Sequence, residues 1–334
     1  MSLSMLRRLR RQNRVEAARE TAPATLESRK TFIDPQTLMR IKSLPLRAKV
    51  VVEGFYNGLH RSPFHGFSVE FSEYRQYTPG DDPRYLDWRL YARSDRYYLK
   101  RFEDETNVRC YLLVDLSRSM GFGSLEFNKA EYARTAAATL AYFLAQQRDS
   151  VGLMTFHERL GDYLPARFRA GHLHRIMMCL EHALAGERTD LAVPLEEAAK
   201  LVRRRGVVVL ISDLLAPLAT LESKLALLRS RQHEVIVLQI LDPAEKQFSF
   251  EQPAMFEDVE SGRSIYVDPE SVREQYTRRF QAHQEAIAQA CRNLGIDYVP
   301  VTTDQPLELV LFDFLKSRLR RGREVRRRQG GVVR

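Results

Sequence analysis

Short apolar runs alternate with longer mixed segments along the chain from residue 108 onwards. Runs of four to six apolar residues bounded by polar turns are typical of strands buried on both faces of a parallel sheet. Strands are predicted at Cys110–Val114, Val151–Phe156, Val207–Ile211, Val235–Ile240 and Tyr298–Val301. Helices are predicted at Asn128–Gln146, His172–Leu184, Val193–Arg203, Leu218–Arg229, Glu270–Asn293 and Leu307–Leu319. This alternation predicts an α/β domain with a mostly parallel sheet covered by helices.

The first hundred residues have a different pattern. Asp34 followed by Pro35 has the residue types of a helix N-terminus, which predicts a short helix to Ile41, and a second short helix is predicted at Leu46–Asn57. The segment Phe67–Glu105 is polar and aromatic with intermittent alternation, which indicates a small, mostly β module. The predicted divisions are a basic segment (1–33), a small helical and β-rich module (34–107), the α/β domain (108–319) and a basic tail (320–334). Within the α/β domain, a hairpin is predicted between Phe248 and Val267, with Ser261 and Gly262 in its turn.

The chain has 334 residues and a formal net charge of +9, and much of the excess lies at its two ends. These ends are either solvated tails or segments that dock on a polyanion or an acidic partner. Aromatic residues that could stack on bases do not interleave with the C-terminal arginines beyond Phe314. The arginines concerned are Arg7, Arg8, Arg10, Arg11 and Arg14 at the start, and Arg318, Arg320, Arg321, Arg323, Arg326, Arg327 and Arg328 at the end.

The cysteines and the hydropathy pattern bear on the cellular compartment. Cys110, Cys179 and Cys291 are far apart, lie in apolar contexts and have no metal-ligand spacing, so buried free thiols are expected. The chain has neither the apolar core of a signal peptide nor a run of 18 apolar residues that could span a bilayer. We therefore expect a soluble, cytoplasmic protein.

Polar residues follow the predicted strands where a ligand site is expected. In open α/β sheets, ligands bind beyond the carboxyl ends of the strands. Asp115, Ser117 and Ser119 follow the first strand, Thr189 precedes a helix, and Asp213 follows a later strand. Hydroxyl and carboxylate oxygens suit a hard cation such as Mg²⁺. Serine and aspartate at such positions are also ordinary helix caps and turn formers, but their joint occurrence favours a metal site.

The Asp-x-Ser-x-Ser loop, the distant threonine and the later aspartate resemble the metal-ion-dependent adhesion site of von Willebrand factor A domains. The resemblance implies a von Willebrand factor A-like fold. It also implies that Ser117, Ser119 and Thr189 bind Mg²⁺, Mn²⁺ or Ca²⁺ directly. Asp115 and Asp213 would then act directly or through water, and an open position on the metal would accept an acidic group from a partner.

The preceding segment resembles the domain of unknown function 58 (DUF58) family. The resemblance rests on Glu70-Phe71, Glu73-Tyr74-Arg75, Tyr77, Gly80-Asp81-Asp82-Pro83-Arg84, Asp87-Trp88-Arg89, Ala92-Arg93 and Lys100-Arg101-Phe102-Glu103. The family implies association with MoxR-type AAA+ ATPases, and hence an adaptor or cochaperone that helps to mature or remodel protein complexes. The segment from 80 to 93 is either a turn with local ion pairs or a docking surface, whose candidate contacts are Asp81, Asp82, Arg84, Asp87, Arg89 and Arg93.

Two other functions remain open at the level of sequence. A metal beside serine and aspartate could activate water, which would make the chain a hydrolase, but only Asp190 adjoins the motif segments as a further carboxylate. Nucleic-acid binding would rest on the basic tails alone, since no recognition motif is present. The sequence therefore favours a non-enzymatic, metal-dependent interaction module.

Overall fold

The computed structural model describes residues 32–60, 74–76, 98–100, 108–182, 191–257 and 263–315. The strands are β1 (Tyr74–Gln76), β2 (Tyr98–Lys100), β3 (Arg109–Asp115), β4 (Ser150–Phe156), β5 (Leu160–Arg167), β6 (Val207–Ser212), β7 (Glu234–Leu241), β8 (Ala254–Glu257), β9 (Ser264–Val267) and β10 (Asp297–Thr302). The helices are α1 (Pro35–Met39), α2 (Leu44–His60), α3 (Lys129–Gln146), α4 (His172–Leu180), α5 (Ala192–Leu201), α6 (Leu218–Ser230), α7 (Pro243–Gln247) and α8 (Pro269–Leu294). A further helix, α9, is described over 307–315.

Six strands form the central sheet in the order β10-β7-β6-β3-β4-β5. All neighbouring pairs are parallel except β4 with β5, which are antiparallel. The chain moves from β3 to β4 on one side and later returns to place β6 on the other side of β3. The strand order therefore reverses between β3 and β6, and the crevice beyond the carboxyl ends of these two strands is the expected ligand position.

Side chains of each central strand alternate between two cores, one on each face of the sheet. In β6, Val207, Val209 and Ile211 enter the core formed with α2, α3, α4 and α9, whereas Val208 and Leu210 enter the core formed with α5, α6 and α8. Successive side chains of a strand point to opposite faces, so a continuous apolar run is the signature of burial on both. The predicted α/β class, with a mostly parallel sheet covered by helices, is confirmed.

The two N-terminal helices share a core with the sheet. Asp34 caps α1 by accepting a hydrogen bond from the Thr37 amide, and Pro35 is the first helical residue, as predicted. Helix α2 packs against α3, with the rings of Phe55 and Phe143 edge to face at a centroid distance of 6.0 Å. The sequence assigned α1 and α2 to a separate module, yet they lie on the domain core. The division of the chain at residue 107 stays a prediction.

The structure adds a strand and the short helix α7 to the predicted elements, and it shortens two helices, one of which is α5, which ends at Leu201 rather than at Arg203. β5 was not expected from the sequence, and α4 ends at Leu180 rather than at Leu184. The predicted hairpin is present as β8 paired with β9, while its turn at Ser261 and Gly262 lies outside the described residues. The basic ends, 1–31 and 316–334, also lie outside them.

The two edge strands of the sheet are irregular. Register shifts interrupt the pairing of β5 with β4 between Val151 and Leu153 and again between Met154 and Phe156. At the opposite edge, β10 carries Pro300, which is paired with Gln239 of β7 and has no main-chain N–H to donate. Among the described helices, none combines the length and the hydropathy that crossing a bilayer requires.

Candidate metal site and its surroundings

Asp115 ends β3 and is held by two neutral donors. Its side chain is fully buried. Oδ1 accepts a hydrogen bond from the Ser117 main-chain N–H at 2.9 Å, and Oδ2 accepts one from the Ser212 hydroxyl at 2.6 Å. The first bond folds the loop tightly after the strand, and the second joins it to the neighbouring strand β6. Asp115 is thus fixed at the reversal point of the sheet.

The two serines of the loop converge beside Asp115. Ser117 precedes a short 3-10 turn, Arg118–Gly121, and is buried, while Ser119 within that turn is 9% exposed. Their Oγ atoms lie 3.2 Å apart. Because the turn reverses the chain within a few residues, alternate side chains of the loop point to the same place. The structure thus places the Ser117 and Ser119 hydroxyls together on the loop that Asp115 anchors, while their role as metal ligands stays a prediction.

Asp213 lies directly after β6, at the start of a strained turn. Its side chain is fully buried, and the next residue, Leu214, has a φ of 57°, a left-handed conformation that costs a branched residue free energy. Leu214 is buried in the core, and its N–H donates to the Ser212 hydroxyl at 3.0 Å. Packing and this hydrogen bond hold the turn in place, while Leu215, 48% exposed, reaches the surface beside it.

A buried lysine joins Asp213 to a third strand end. Lys129, the first residue of α3, has no exposed surface. Its ammonium donates to Asp213 Oδ2 at 2.9 Å and to Glu245 Oε1 at 2.7 Å. Glu245 belongs to α7, which follows β7. The ammonium of Lys129 therefore links the start of α3, which follows β3, to two carboxylates. One of them follows β6 and the other follows β7.

The start of α7 secures Glu245. Asp242 and Glu245 form a capping box, in which each side chain accepts a hydrogen bond from the main chain of the α7 N-terminus. Asp242 also accepts hydrogen bonds from the main-chain N–H and the hydroxyl of Ser124, in the loop before α3. In that loop, a Cβ at Gly123 would lie 2.5 Å from the main-chain oxygen of Phe127, so only glycine fits.

Burial and the neighbouring charges shift the pKa values of Asp115, Lys129 and Glu245. Burial, together with the charge of Asp213, raises the pKa of Asp115 to about 7, and the hydrogen bonds from Ser212 and Ser117 oppose the shift. Burial alone would lower the pKa of the Lys129 ammonium, but Asp213 and Glu245 outweigh it, and the pKa lies above its ordinary value. Burial also raises the pKa of Glu245, against the attraction of Lys129.

Four of the five predicted ligands can be located, and three of them form one cluster. Asp213 lies across the crevice and is joined to the cluster through Ser212, which precedes it and donates to Asp115. Thr189 lies outside the described residues, as do all six candidate docking residues, Asp81, Asp82, Arg84, Asp87, Arg89 and Arg93. The roles assigned to all five predicted ligands and to the six docking residues stay predictions.

Sequence reasoning missed the residues that surround the predicted ligands. Lys129, Asp242 and Glu245 were not selected, although the Asp-x-x-Glu spacing after an apolar run is a recognisable capping box. Nothing in the sequence links Lys129 to Asp213, because they are 84 positions apart. The three cysteines form no disulfide; Cys110 and Cys291 are buried as expected, whereas Cys179 is only partly buried.

The donor set can be tested against the needs of a divalent cation. Within the described ranges, no three His, Cys, Asp or Glu side chains converge as a metal-binding group, so a cation here would depend on hydroxyl oxygens as well. Adjacent ligands of an octahedral Mg²⁺ lie about 3 Å apart, given metal–oxygen distances of roughly 2.0–2.1 Å. The Ser117 and Ser119 hydroxyls, 3.2 Å apart, fit such a pair of positions. The residues present therefore fit the cation that the motif implies.

Comparison with known proteins identifies the family. The profile of the family described as "Protein of unknown function DUF58" matches residues 73–286. "Uncharacterized protein Mb1516" of Mycobacterium bovis is 30% identical over 292 residues, which cover 86% of this chain and 91% of that protein.

Two solved structures of lower similarity were also compared. BatB of Bacteroides thetaiotaomicron is 15% identical, with a TM-score of 0.44 and coverage of 63% of this chain and 98% of that one. The SpRpn10 VWA domain is 13% identical, with a TM-score of 0.37 and coverage of 61% and 93%. These scores are too low for any argument to rest on them. The match to the profile and the Mycobacterium relative show that the chain belongs to the DUF58 family.

Proposed function

We propose that this chain is a non-enzymatic protein-interaction module that uses a divalent cation to bind an acidic group of a partner. The observation that carries the proposal is the convergence of the Ser117 and Ser119 hydroxyls beside the buried carboxylate of Asp115, at the reversal point of the sheet. Mg²⁺ is the expected cation, and Mn²⁺ or Ca²⁺ would use the same oxygen ligands.

The residues divide the work of such a site. Ser117 and Ser119 would contribute hydroxyl oxygens, with Thr189 as the third hydroxyl that the motif implies. Asp115 supplies negative charge and, through its bond to the Ser117 amide, fixes the loop. When bound, the cation would supply a positive charge with an open coordination position, which attracts a carboxylate of the partner.

The surface around the site suits contact with another protein. Ser119 is the more exposed of the two serines, and the exposed apolar side chain of Leu215 lies next to Asp213. A partner carboxylate that reached the cation would bring neighbouring apolar groups against this rim. Interfaces commonly combine a buried polar anchor with apolar contacts around it. The partner we propose is a MoxR-type AAA+ ATPase or one of its client proteins, for which the chain acts as an adaptor or cochaperone.

Metal binding is tested first, by isothermal titration of Mg²⁺ and Mn²⁺ into the wild-type chain and into Ser117→Ala. The variant loses a hydroxyl ligand but keeps the main-chain N–H that holds Asp115, so its fold should survive, as circular dichroism would verify. Ser230→Ala is the matched control, because Ser230 is exposed at the end of α6 and its hydroxyl binds only the main-chain oxygen of Leu227. We expect binding by the wild type and by Ser230→Ala, and loss of binding by Ser117→Ala. Equal binding by all three would exclude the serine loop as the site.

Partner capture tests the second half of the proposal. Asp115→Ala should abolish Mg²⁺-dependent capture of a purified MoxR-type ATPase while the chain stays folded, and EDTA should abolish capture by the wild type. Unchanged capture by Asp115→Ala would contradict a bridging metal. Phosphate esters and peptides should be stable in the presence of the purified chain and Mg²⁺. Turnover that disappears in Ser117→Ala would instead identify a hydrolase.

A further inference from the structure

Lys129 is a buried cation beside the candidate metal site, and the sequence motif does not include it. Two of the three directions around its ammonium are taken by Asp213 and Glu245, at 2.9 and 2.7 Å. The ring of Phe122 lies below it, with the centroid 5.8 Å from Nζ. The aromatic face also attracts a cation. The ammonium is therefore enclosed by groups that stabilise a positive charge.

The stability of helix α3 does not explain this position. Lys129 is the first residue of α3, where the positive end of the helix dipole disfavours a cation. Asn128 already caps the helix by accepting a hydrogen bond from the Glu131 amide at 2.9 Å. A buried ammonium also loses its hydration. The carboxylates of Asp213 and Glu245 are therefore what holds the lysine in place.

Because Lys129 contacts Asp213, the two aspartates of the site differ in how far their negative charge is compensated. The carboxylate of Asp213 is engaged on both oxygens, since Oδ2 binds Lys129 and Oδ1 accepts from the Leu215 amide at 3.3 Å. Within the described ranges, the hydrogen-bond donors to Asp115 are neutral, namely the Ser117 amide and the Ser212 hydroxyl. A cation bound at the serine loop would thus face one aspartate with its full charge and one whose charge is already balanced.

We propose that Lys129 is the internal counter-ion of Asp213 and thereby sets the affinity of the site for divalent cations. This proposal rests on the proposed metal-dependent function and deepens it. By balancing Asp213, Lys129 weakens the binding of the free cation and leaves the bound cation short of negative charge. The carboxylate of a partner then supplies the missing charge, so cation and partner bind together more tightly than either binds alone.

The experiment compares Mg²⁺ affinity among variants of the Lys129 contacts by isothermal titration. Lys129→Met removes the ammonium and keeps much of its apolar length, so Mg²⁺ should bind more tightly by roughly tenfold or more, since a nearby repulsive charge is gone. Glu245→Gln keeps the lysine and removes one of its carboxylates. The ammonium then keeps Asp213 as its remaining carboxylate partner, and because the surroundings of the site have lost one negative charge, Mg²⁺ binding should weaken. A lysine with a purely structural role would not produce changes of opposite sign.

A double variant keeps the test decisive if Lys129→Met does not fold. Lys129→Met combined with Glu245→Gln removes one charge of each sign, leaves Asp213 without its counter-ion, and should also bind Mg²⁺ more tightly than the wild type. Folding is checked by circular dichroism and by the thermal midpoint with and without Mg²⁺. Mg²⁺ should raise the midpoint of the double variant more than that of the wild type.

The possible failures are distinguishable. Wild-type binding that depends on Ser117, with the same affinity in a folded Lys129 variant, would overturn the role of Lys129 and leave the metal site intact. Absence of Mg²⁺ and Mn²⁺ binding in the wild type, Glu245→Gln and the folded double variant alike would overturn the metal-dependent function itself.

Discussion

The carboxyl ends of β3 and β6 carry the same residue in two different electrostatic settings. Asp115 and Asp213 follow neighbouring parallel strands, and both side chains are fully buried. Asp115 accepts hydrogen bonds from an amide and a hydroxyl, whereas Asp213 binds the ammonium of Lys129. Burial disfavours a charged carboxylate in both places, and among the residues that the structure describes, a compensating charge is found only at the end of β6.

The difference shows which of the two aspartates would need a bound cation to compensate its negative charge. Asp213 and Lys129 form a buried ion pair within the protein, so no ligand is needed to supply a partner for the Asp213 carboxylate. At Asp115, burial and the charge of Asp213 raise the pKa to about 7, so the carboxylate is only partly ionised at neutral pH. A divalent cation would favour the ionised form. Under the proposed function, the end of β3 is the place where a bound cation would change the charge of the site.

The largest expected effect on stability comes from removing the ammonium group that compensates the charge of Asp213. Lys129→Met leaves Asp213 and Glu245 buried without a counter-ion, which should lower the free energy of unfolding by about 3–5 kcal/mol. Urea denaturation in the presence of EDTA measures this loss. Lys224→Met is the matched control, because Lys224 contacts Glu196 at the surface, where a salt bridge contributes at most about 1 kcal/mol. A similar, small loss in both variants would contradict the importance of the buried pair.

The pH dependence of the metal-free protein tests Asp115. Its pKa is raised above the value of an unfolded chain, so the folded state holds the proton more tightly and is stabilised by this group below about pH 4. That contribution is lost as the pH rises to about 7, and the free energy of unfolding should fall by about 2–4 kcal/mol over this window.

Asp115→Asn isolates the contribution of this one carboxyl group. The asparagine cannot titrate, so the difference between wild type and variant, measured by urea denaturation at several pH values in EDTA, reports the group directly. Saturating Mg²⁺ should flatten the wild-type curve near pH 7, because the cation favours the carboxylate. A wild-type and a variant curve of the same slope would show that Asp115 titrates normally.

The smallest expected effects come from removing a single neutral hydroxyl group near each aspartate, although the Ser212 hydroxyl also accepts from the Leu214 N–H. Ser212→Ala deprives Asp115 of its hydroxyl donor, and Tyr298→Phe removes the phenol that donates to Gln239, whose amide in turn donates to the main-chain oxygen of Asp213. Each should cost about 1–2 kcal/mol of stability in denaturation experiments. Only Ser212→Ala should also raise the pKa of Asp115, so that stability is lost over a higher pH range than in the wild type. If Tyr298→Phe shifted the pH range by the same amount, the pH dependence could not be assigned to Asp115 rather than to Asp213.

The sequence predicts the central strands because burial on both faces leaves a continuous apolar run. The run Val207–Ile211 is such a case, and β6 is found there with every residue buried. The edge strand β5 has a mixed pattern of exposure and includes Gly161 and Asp162, so neither an apolar run nor strict alternation marks it. β5 escapes prediction because only part of its surface is buried.

In the candidate site too, contacts between residues close in sequence could be predicted, whereas contacts between distant residues could not. Asp115, Ser117 and Ser119 are close in sequence, so their convergence follows from one loop. The contact of Lys129 with Asp213 depends on the placement of β6 beside β3, and lysine is a residue whose ordinary place is the surface. Spacing in a sequence therefore indicates the ligands, while the charge balance around them requires the folded chain.

The irregular outer strands of the sheet limit how copies of this chain can associate. A regular edge strand offers a row of free main-chain donors and acceptors, and another strand can pair with it to extend the sheet. Pro300 removes one donor from β10, and the register shifts of β5 distort the other border. Strand addition, which leads to aggregates and fibres, is thus disfavoured at either border, and recognition is expected to use side chains and loops rather than main-chain pairing.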